Sequence, residues 1–122
     1  MEMISDIDNI ILNIKSFSLC EERAKSMALS CMKLIKQDVE LSDLVVEVFT
    51  DELSDDGVYV EFDVKDISFE LRCFPDNHTT MFIFDTTLYT IEESFKVETP
   101  EEFIAKVRKT IDDTKGNNYN NS

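Results

Sequence analysis

The sequence of 122 residues is short of the residues on which most catalytic and phosphate-binding sites depend. It has two glycines, which excludes a glycine-rich phosphate loop, and one histidine, His78, the only side chain whose ordinary pKa lies near neutral pH. It also contains neither a Gly-x-Ser-x-Gly elbow nor a His-Glu-x-x-His motif. We therefore expect a protein that is not an enzyme.

Basic residues are scarce as well, with 12 Lys and Arg against 26 Asp and Glu and a net charge of −14. Such a charge repels nucleic acid and anionic lipid, which both bind cationic surfaces. No apolar run approaches the roughly 18–20 residues of a membrane span, and the first residues are acidic where a signal peptide would be basic. We expect no direct nucleic-acid binding, no membrane association and a cytoplasmic location.

The three cysteines, Cys20, Cys31 and Cys73, are odd in number, lack Cys-x-x-Cys spacing and have apolar neighbours. This pattern favours buried free thiols over a disulfide framework or a zinc site. The acidic stretch 51–57 lacks the alternating carboxylate ladder of a calcium loop. No metal and no other cofactor is expected.

What the chain does have is 43% apolar content with nine phenylalanines, enough for a hydrophobic core. Isoleucines at helical spacing predict a first helix from Ser5 to about Ser16. A capping box formed by Ser18 and Glu21 predicts a second helix that ends near Gln37.

From Leu44 onward the apolar period changes to two, which predicts four strands and an optional fifth over Leu88–Val97. Thr99 and Pro100 are typical of a helix start, and Gly116 is expected to end that last helix. The predicted fold is an α+β domain with an antiparallel four- to five-stranded sheet in the order α-α-β-β-β-β-(β)-α and helices packed on one face. A single acidic domain covers residues 1–116, and residues 117–122 form a disordered polar tail.

The net charge belongs to the predicted sheet, because residues 38–98 hold 17 acidic and three basic residues and so carry the whole −14. Within this segment, a hairpin turn centred on Lys65–Asp66 sets the register of its two strands. Phe62 then faces Phe69 toward the core, while Glu61 lies opposite Glu70 on the outer side and Tyr59 lies opposite Arg72. Directly opposed carboxylates are destabilising, which suggests that a cationic partner meets them.

The strand Met81–Phe84 is apolar on both sides, so one pair of side chains must point away from the helices. If Met81 and Ile83 do so, they form an apolar patch rimmed by acids, a common mark of an interface, and Tyr59 could join it. The alternative is a central strand that is covered on both faces.

These observations predict a small acidic inhibitor of the immunity or phage anti-defence (anti-CRISPR) type, a nucleic-acid mimic that covers the basic surface of a nuclease or another nucleic-acid-processing protein. The alternatives are a dimeric acidic secretion chaperone or adaptor that binds an extended client, and a structural subunit whose acidic surface maintains solubility. The candidate partner-binding residues are Glu47, Tyr59, Glu61, Asp63, Glu70, Arg72, Met81 and Ile83.

Overall fold

Four helices and five strands make up the part of the chain that the structure, a computed structural model, describes: residues 6–54, 56–76, 78–85 and 90–120. The helices are α1 (Asp6–Ser16), α2 (Glu22–Gln37), α3 (Val39–Leu44) and α4 (Pro100–Asn120). The strands are β1 (Val45–Glu52), β2 (Val58–Val64), β3 (Ile67–Cys73), β4 (Thr79–Asp85) and β5 (Thr90–Lys96).

The strands form one antiparallel meander in the order β1-β2-β3-β4-β5, so the predicted α+β fold is confirmed and the optional fifth strand is present. Alternate residues of β2, β3 and β4 are buried, as expected for a sheet with helices on one face. Phe62 stacks on Phe69 with ring centroids 5.2 Å apart, and Phe103 of α4 meets Phe62 edge-on at 6.2 Å. This aromatic cluster joins the sheet to the helix layer.

The helix layer is built from apolar stripes at helical spacing. α1 buries Ile7, Ile10, Ile11 and Ile14, which is the predicted stripe, and α4 begins at the predicted Pro100, where the Thr99 hydroxyl accepts a hydrogen bond from the Glu102 amide at 3.1 Å. Among the described residues, no helix combines the length and the hydropathy that crossing a membrane would require.

Three details of the helix layer differ from the sequence-based expectation. The short helix α3 was not predicted; the Asp38 side chain caps it by accepting a hydrogen bond from the Leu41 amide. α4 continues to Asn120, past the expected stop, because Gly116 does not adopt a positive φ and stays helical. Residues 117–120, part of the predicted polar tail, belong to α4 in the structure, and residues 121–122 lie outside the described residues.

The start of α2 is the third difference, since Ser18 and Glu21 do not form a capping box there. Instead, one carboxylate oxygen of Glu52, at the end of β1, accepts hydrogen bonds from the Leu19 and Cys20 amides, both at 2.7 Å. The Glu21 amide donates to the Asp56 carbonyl at 3.0 Å. The end of β1 and the β1–β2 loop thus accept hydrogen bonds from three amides that precede α2, and only the Glu21 amide is one that the predicted box would have satisfied.

Candidate protein-binding surface

The sheet surface opposite the helices, called here the outer face, carries most of the predicted site residues. Its register follows the prediction: Glu61 pairs with Glu70, Tyr59 with Arg72 and Phe62 with Phe69. The two-residue loop Lys65–Asp66 sets this pairing, with Lys65 at φ 56°. The like-charged pair predicted from the sequence is therefore present in the structure.

One cross-strand row runs through that pair over four strands and is called the central row. It consists of Phe49 on β1, Glu61 on β2, Glu70 on β3 and Phe82 on β4, each directly opposite the next. Directly opposite side chains in an antiparallel sheet have Cβ atoms about 4.5–5.5 Å apart, so the two carboxylates are neighbours and each has an aromatic ring on its other side. The row presents two anionic groups between two apolar rings.

The two glutamates are compensated unequally. The guanidinium of Arg72 lies 3.6 Å from the Glu70 carboxylate, whose side chain is 17% exposed. The Tyr59 hydroxyl donates a hydrogen bond of 3.0 Å to Glu61. The two partly buried carboxylates thus contact one guanidinium and one neutral hydroxyl. Because only one of these groups is cationic, a net negative charge remains at the centre of the outer face.

Tyr59 and Phe82 flank the guanidinium of Arg72. The Arg72 Cζ atom lies 5.1 Å from the Phe82 ring centroid and 5.8 Å from that of Tyr59, within cation–π range. Burial, together with hydrogen bonding and charge repulsion from Glu70 and Glu61, raises the pKa of the Tyr59 hydroxyl. The hydroxyl therefore stays protonated and acts as a donor.

Further apolar side chains extend this surface toward β1 and along β4. Phe49 is 53% exposed and meets Tyr59 edge-on at 6.0 Å, and Val46 beside it on β1 is 45% exposed. Phe82 stacks on Phe84 at 6.5 Å. Aromatic residues and arginine are enriched in protein interfaces, so this apolar area is suited to contact with a partner.

The remaining two acidic candidates lie around the central row. Asp63 lies between Val46 and Ser68 in the neighbouring cross-strand row. Glu47 occupies the β-bulge that shifts the β1–β2 register, is exposed and has φ 52°. Asp63 therefore belongs to the outer face, while Glu47 marks the irregular edge of the sheet.

The predicted exposure of Met81 and Ile83 is wrong. Both are buried, at 0% and 1% exposure, because they lie opposite the core residues Leu71 and Phe69 of β3 and so face the helices. Phe82 and Phe84 occupy the outer face of the same strand instead. Phe82 and Phe84 were not predicted for this reason, and Phe49 was not predicted because the bulge in β1 sets its position. Extending the β2–β3 register across the second hairpin would have revealed Phe82 and Phe84.

Charges on the helix side of the sheet are arranged differently, in ion pairs that join separate elements. Lys36 of α2 lies 2.6 Å from Asp8 of α1, and Arg108 of α4 lies 3.0 Å from Asp38. Lys106 of α4 likewise lies 3.4 Å from Glu93 of β5. On the outer face, by contrast, the acidic strand residues include Asp51, Glu61, Asp63 and Glu70, and the basic ones include Arg72 and Lys96.

The residues with nucleophilic or acid–base potential lie elsewhere. Cys31 and Cys73 are fully buried free thiols, as predicted. Burial raises the pKa of the Cys31 thiol, and it raises the pKa of the Cys73 thiol to about 12. Cys20 is a free thiol that is half-buried rather than buried. His78 is exposed, 4.0 Å from Asp76. Within the described ranges, no three His, Cys, Asp or Glu side chains are grouped to hold a metal ion.

Comparisons of the chain with protein-family models, with curated proteins and with solved structures found no significant match to any of them.

Proposed function

We propose that this protein binds a basic partner protein through the outer face and covers that partner's nucleic-acid-binding surface, as an inhibitor of the immunity or phage anti-defence (anti-CRISPR) type. The observation that carries the proposal is the central row, in which Glu61 and Glu70 stand side by side between Phe49 and Phe82. Carboxylates on a sheet offer a partner the negative charge that it normally finds on phosphates.

The proposed mechanism is steric and electrostatic. The net charge of −14 steers the encounter with a cationic surface and raises the association rate at low salt. The apolar area around Phe49, Phe82 and Phe84 then excludes water and slows dissociation. The proposed setting is the cytoplasm, because the three cysteines are free thiols and suit a reducing compartment.

The test is a neutralised outer face, Glu61→Gln/Asp63→Asn/Glu70→Gln, compared with a control of equal charge change, Asp43→Asn/Asp76→Asn/Asp112→Asn. The control residues are exposed and lie on α3, in the β3–β4 loop and on α4. The wild type is first used to capture basic nucleases and host proteins at low and at high salt. The captured proteins are purified, and each variant is then tested for inhibition of their nucleic-acid binding.

We expect the outer-face variant to inhibit less strongly and to show a weaker salt dependence of binding, while the control behaves like the wild type. Equal inhibition by both variants, with cooperative unfolding preserved, would rule out the outer face as the binding surface.

The dimeric secretion chaperone or adaptor is the second candidate. The burial of Met81 and Ile83 removes the exposed strand that first suggested it, but the exposure of Val46 and Phe49 on the edge strand β1 still favours a client or a second copy there. Sedimentation equilibrium separates the two candidates. A tight homodimer without affinity for basic proteins supports the chaperone, whereas a monomer that blocks a nuclease supports the inhibitor.

A further inference from the structure

We propose that the central row recognises an arginine side chain of the partner, in preference to lysine, between the rings of Phe49 and Phe82 and against the carboxylates of Glu61 and Glu70. This inference rests on the proposed function and specifies its chemistry. The negative charge of the row favours any cation, and the arrangement of its carboxylates and rings favours the guanidinium of arginine.

The paired carboxylates favour a guanidinium because of its shape. A guanidinium is planar and has five N–H donors in a fixed fork, so it can donate to two neighbouring carboxylates at once. The Glu61 and Glu70 side chains stand directly opposite each other on β2 and β3, which is the separation such a fork can span. A lysine ammonium is a compact and strongly hydrated point charge that gains less from a pair of acceptors between apolar rings.

Arg72 shows that this face already accommodates a guanidinium. Its Cζ atom lies 5.1 Å from the Phe82 ring centroid, and its guanidinium is 3.6 Å from Glu70. The side chain of Arg72 is 46% exposed and sits one cross-strand row away from the central row, opposite Tyr59. It pairs with Glu70, while Glu61 accepts a hydrogen bond from a neutral hydroxyl.

The outer face therefore combines the three contacts that a second guanidinium would use. These are a carboxylate that no described cation pairs with, at Glu61, a shared carboxylate at Glu70 and a half-exposed ring at Phe49. Because aromatic faces attract cations more strongly when water is excluded, the preference for arginine should be greatest once the partner covers the row.

The experiment uses two peptides of equal length and charge, six arginines or six lysines in the same Gly-Ser background, and measures their binding by fluorescence anisotropy at two salt concentrations. We expect the wild type to bind the arginine peptide about fivefold to tenfold more tightly. The ratio should fall to about one in Glu61→Gln/Glu70→Gln and decrease in Phe49→Leu. Asp43→Asn/Asp112→Asn, which removes the same charge elsewhere, should keep the wild-type ratio.

Thermal unfolding of each variant, followed by circular dichroism, ensures that only folded variants are compared. Equal affinity of the wild type for the two peptides would overturn the inference, and so would an unchanged ratio in Glu61→Gln/Glu70→Gln. If both peptides bind equally yet weaken together in that variant, arginine selection fails while the proposed acidic binding surface stands. If neither peptide's affinity depends on Glu61 and Glu70, the proposed function fails as well.

Discussion

The two sides of the sheet use their acidic residues in opposite ways. On the helix side, carboxylates such as Asp8 and Asp38 lie beside Lys36 and Arg108 and tie separate helices together. On the outer face, Glu61 and Glu70 lie beside each other and share the neighbourhood of a single arginine. The same residue types therefore stabilise the fold on one side and leave negative charge available on the other.

The largest expected contrast between the two sides is in their phenylalanines. Phe62 is fully buried against Phe69 and Phe103, so Phe62→Ala should lower the free energy of unfolding by about 3–5 kcal/mol. Phe49→Ala, on the half-exposed edge of the outer face, should cost less than about 1 kcal/mol. Urea unfolding measures both; similar losses would show that the outer face is as essential to the fold as the core.

The helix-side carboxylates should stabilise the fold. Asp38 caps α3 and lies 3.0 Å from Arg108, so Asp38→Ala should cost about 1–2 kcal/mol. Asp38→Asn keeps an acceptor at the cap and should cost less, which separates the cap from the ion pair. Chemical denaturation of both variants provides the values, and an Asp38→Ala variant as stable as the wild type would show that the helix-side carboxylates do not stabilise the fold.

The outer-face carboxylates, in contrast, should destabilise the fold. Because directly opposed like charges are unfavourable, Glu61→Gln/Glu70→Gln should raise the free energy of unfolding by up to about 1 kcal/mol at low salt. The gain should shrink as salt screens the repulsion in the wild type. Thermal unfolding across a salt series is the measurement, with Asp43→Asn/Asp112→Asn as control; a destabilised variant would show that the pair is structural.

Alkaline pH provides a smaller test of the same cluster. The pKa of the Tyr59 hydroxyl is higher in the folded state than in the unfolded chain, where it is about 10. The protonated hydroxyl therefore contributes its full stabilisation of the fold below about pH 10, and this stabilisation is lost as the pH rises above that value. Solvent screening at this partly open site keeps the effect below about 1 kcal/mol. In urea unfolding from pH 9 to 11, Tyr59→Phe should therefore lose stability less steeply than the wild type, and identical slopes would contradict the described contacts.

The smallest expected effect concerns the turn that sets the register of the central row. Lys65 has φ 56°, a conformation that glycine adopts without strain, so Lys65→Gly should be neutral or stabilising by about 0.5 kcal/mol. Asp66→Gly, at a residue without positive φ, should destabilise by about as much. Thermal unfolding of the two variants checks this. If Lys65→Gly were the less stable variant, the backbone conformation described for this turn would be wrong.

The hairpin could be predicted from the sequence because its determinants are local. The side chains alternate with period two on both strands, and the turn at Lys65–Asp66 leaves one register that buries Phe62 and Phe69 together. The position of Glu61 opposite Glu70 follows from that register. The β2–β3 part of the candidate surface was therefore within reach of sequence reasoning.

The rest depends on contacts between distant residues. Met81, Phe82, Ile83 and Phe84 are all apolar, so alternation alone does not indicate which pair is buried, and the β3–β4 pairing decides it. The start of α2 is similar, because Glu52 supplies acceptors across more than thirty residues of sequence in place of the local capping box. The bulge at Glu47 also shifts the β1 register, which brings Phe49 opposite Glu61.

We expect the outer face, and within it the central row, to receive a cationic protein segment. Titration of isotopically labelled protein with the six-arginine peptide, followed through its backbone amide NMR signals, locates the binding surface directly. We expect the largest shifts at Phe49, Glu61, Glu70 and Phe82, with the signals of α1, α2 and α4 little changed. Shifts concentrated on the helices, with the strand signals unmoved, would contradict it.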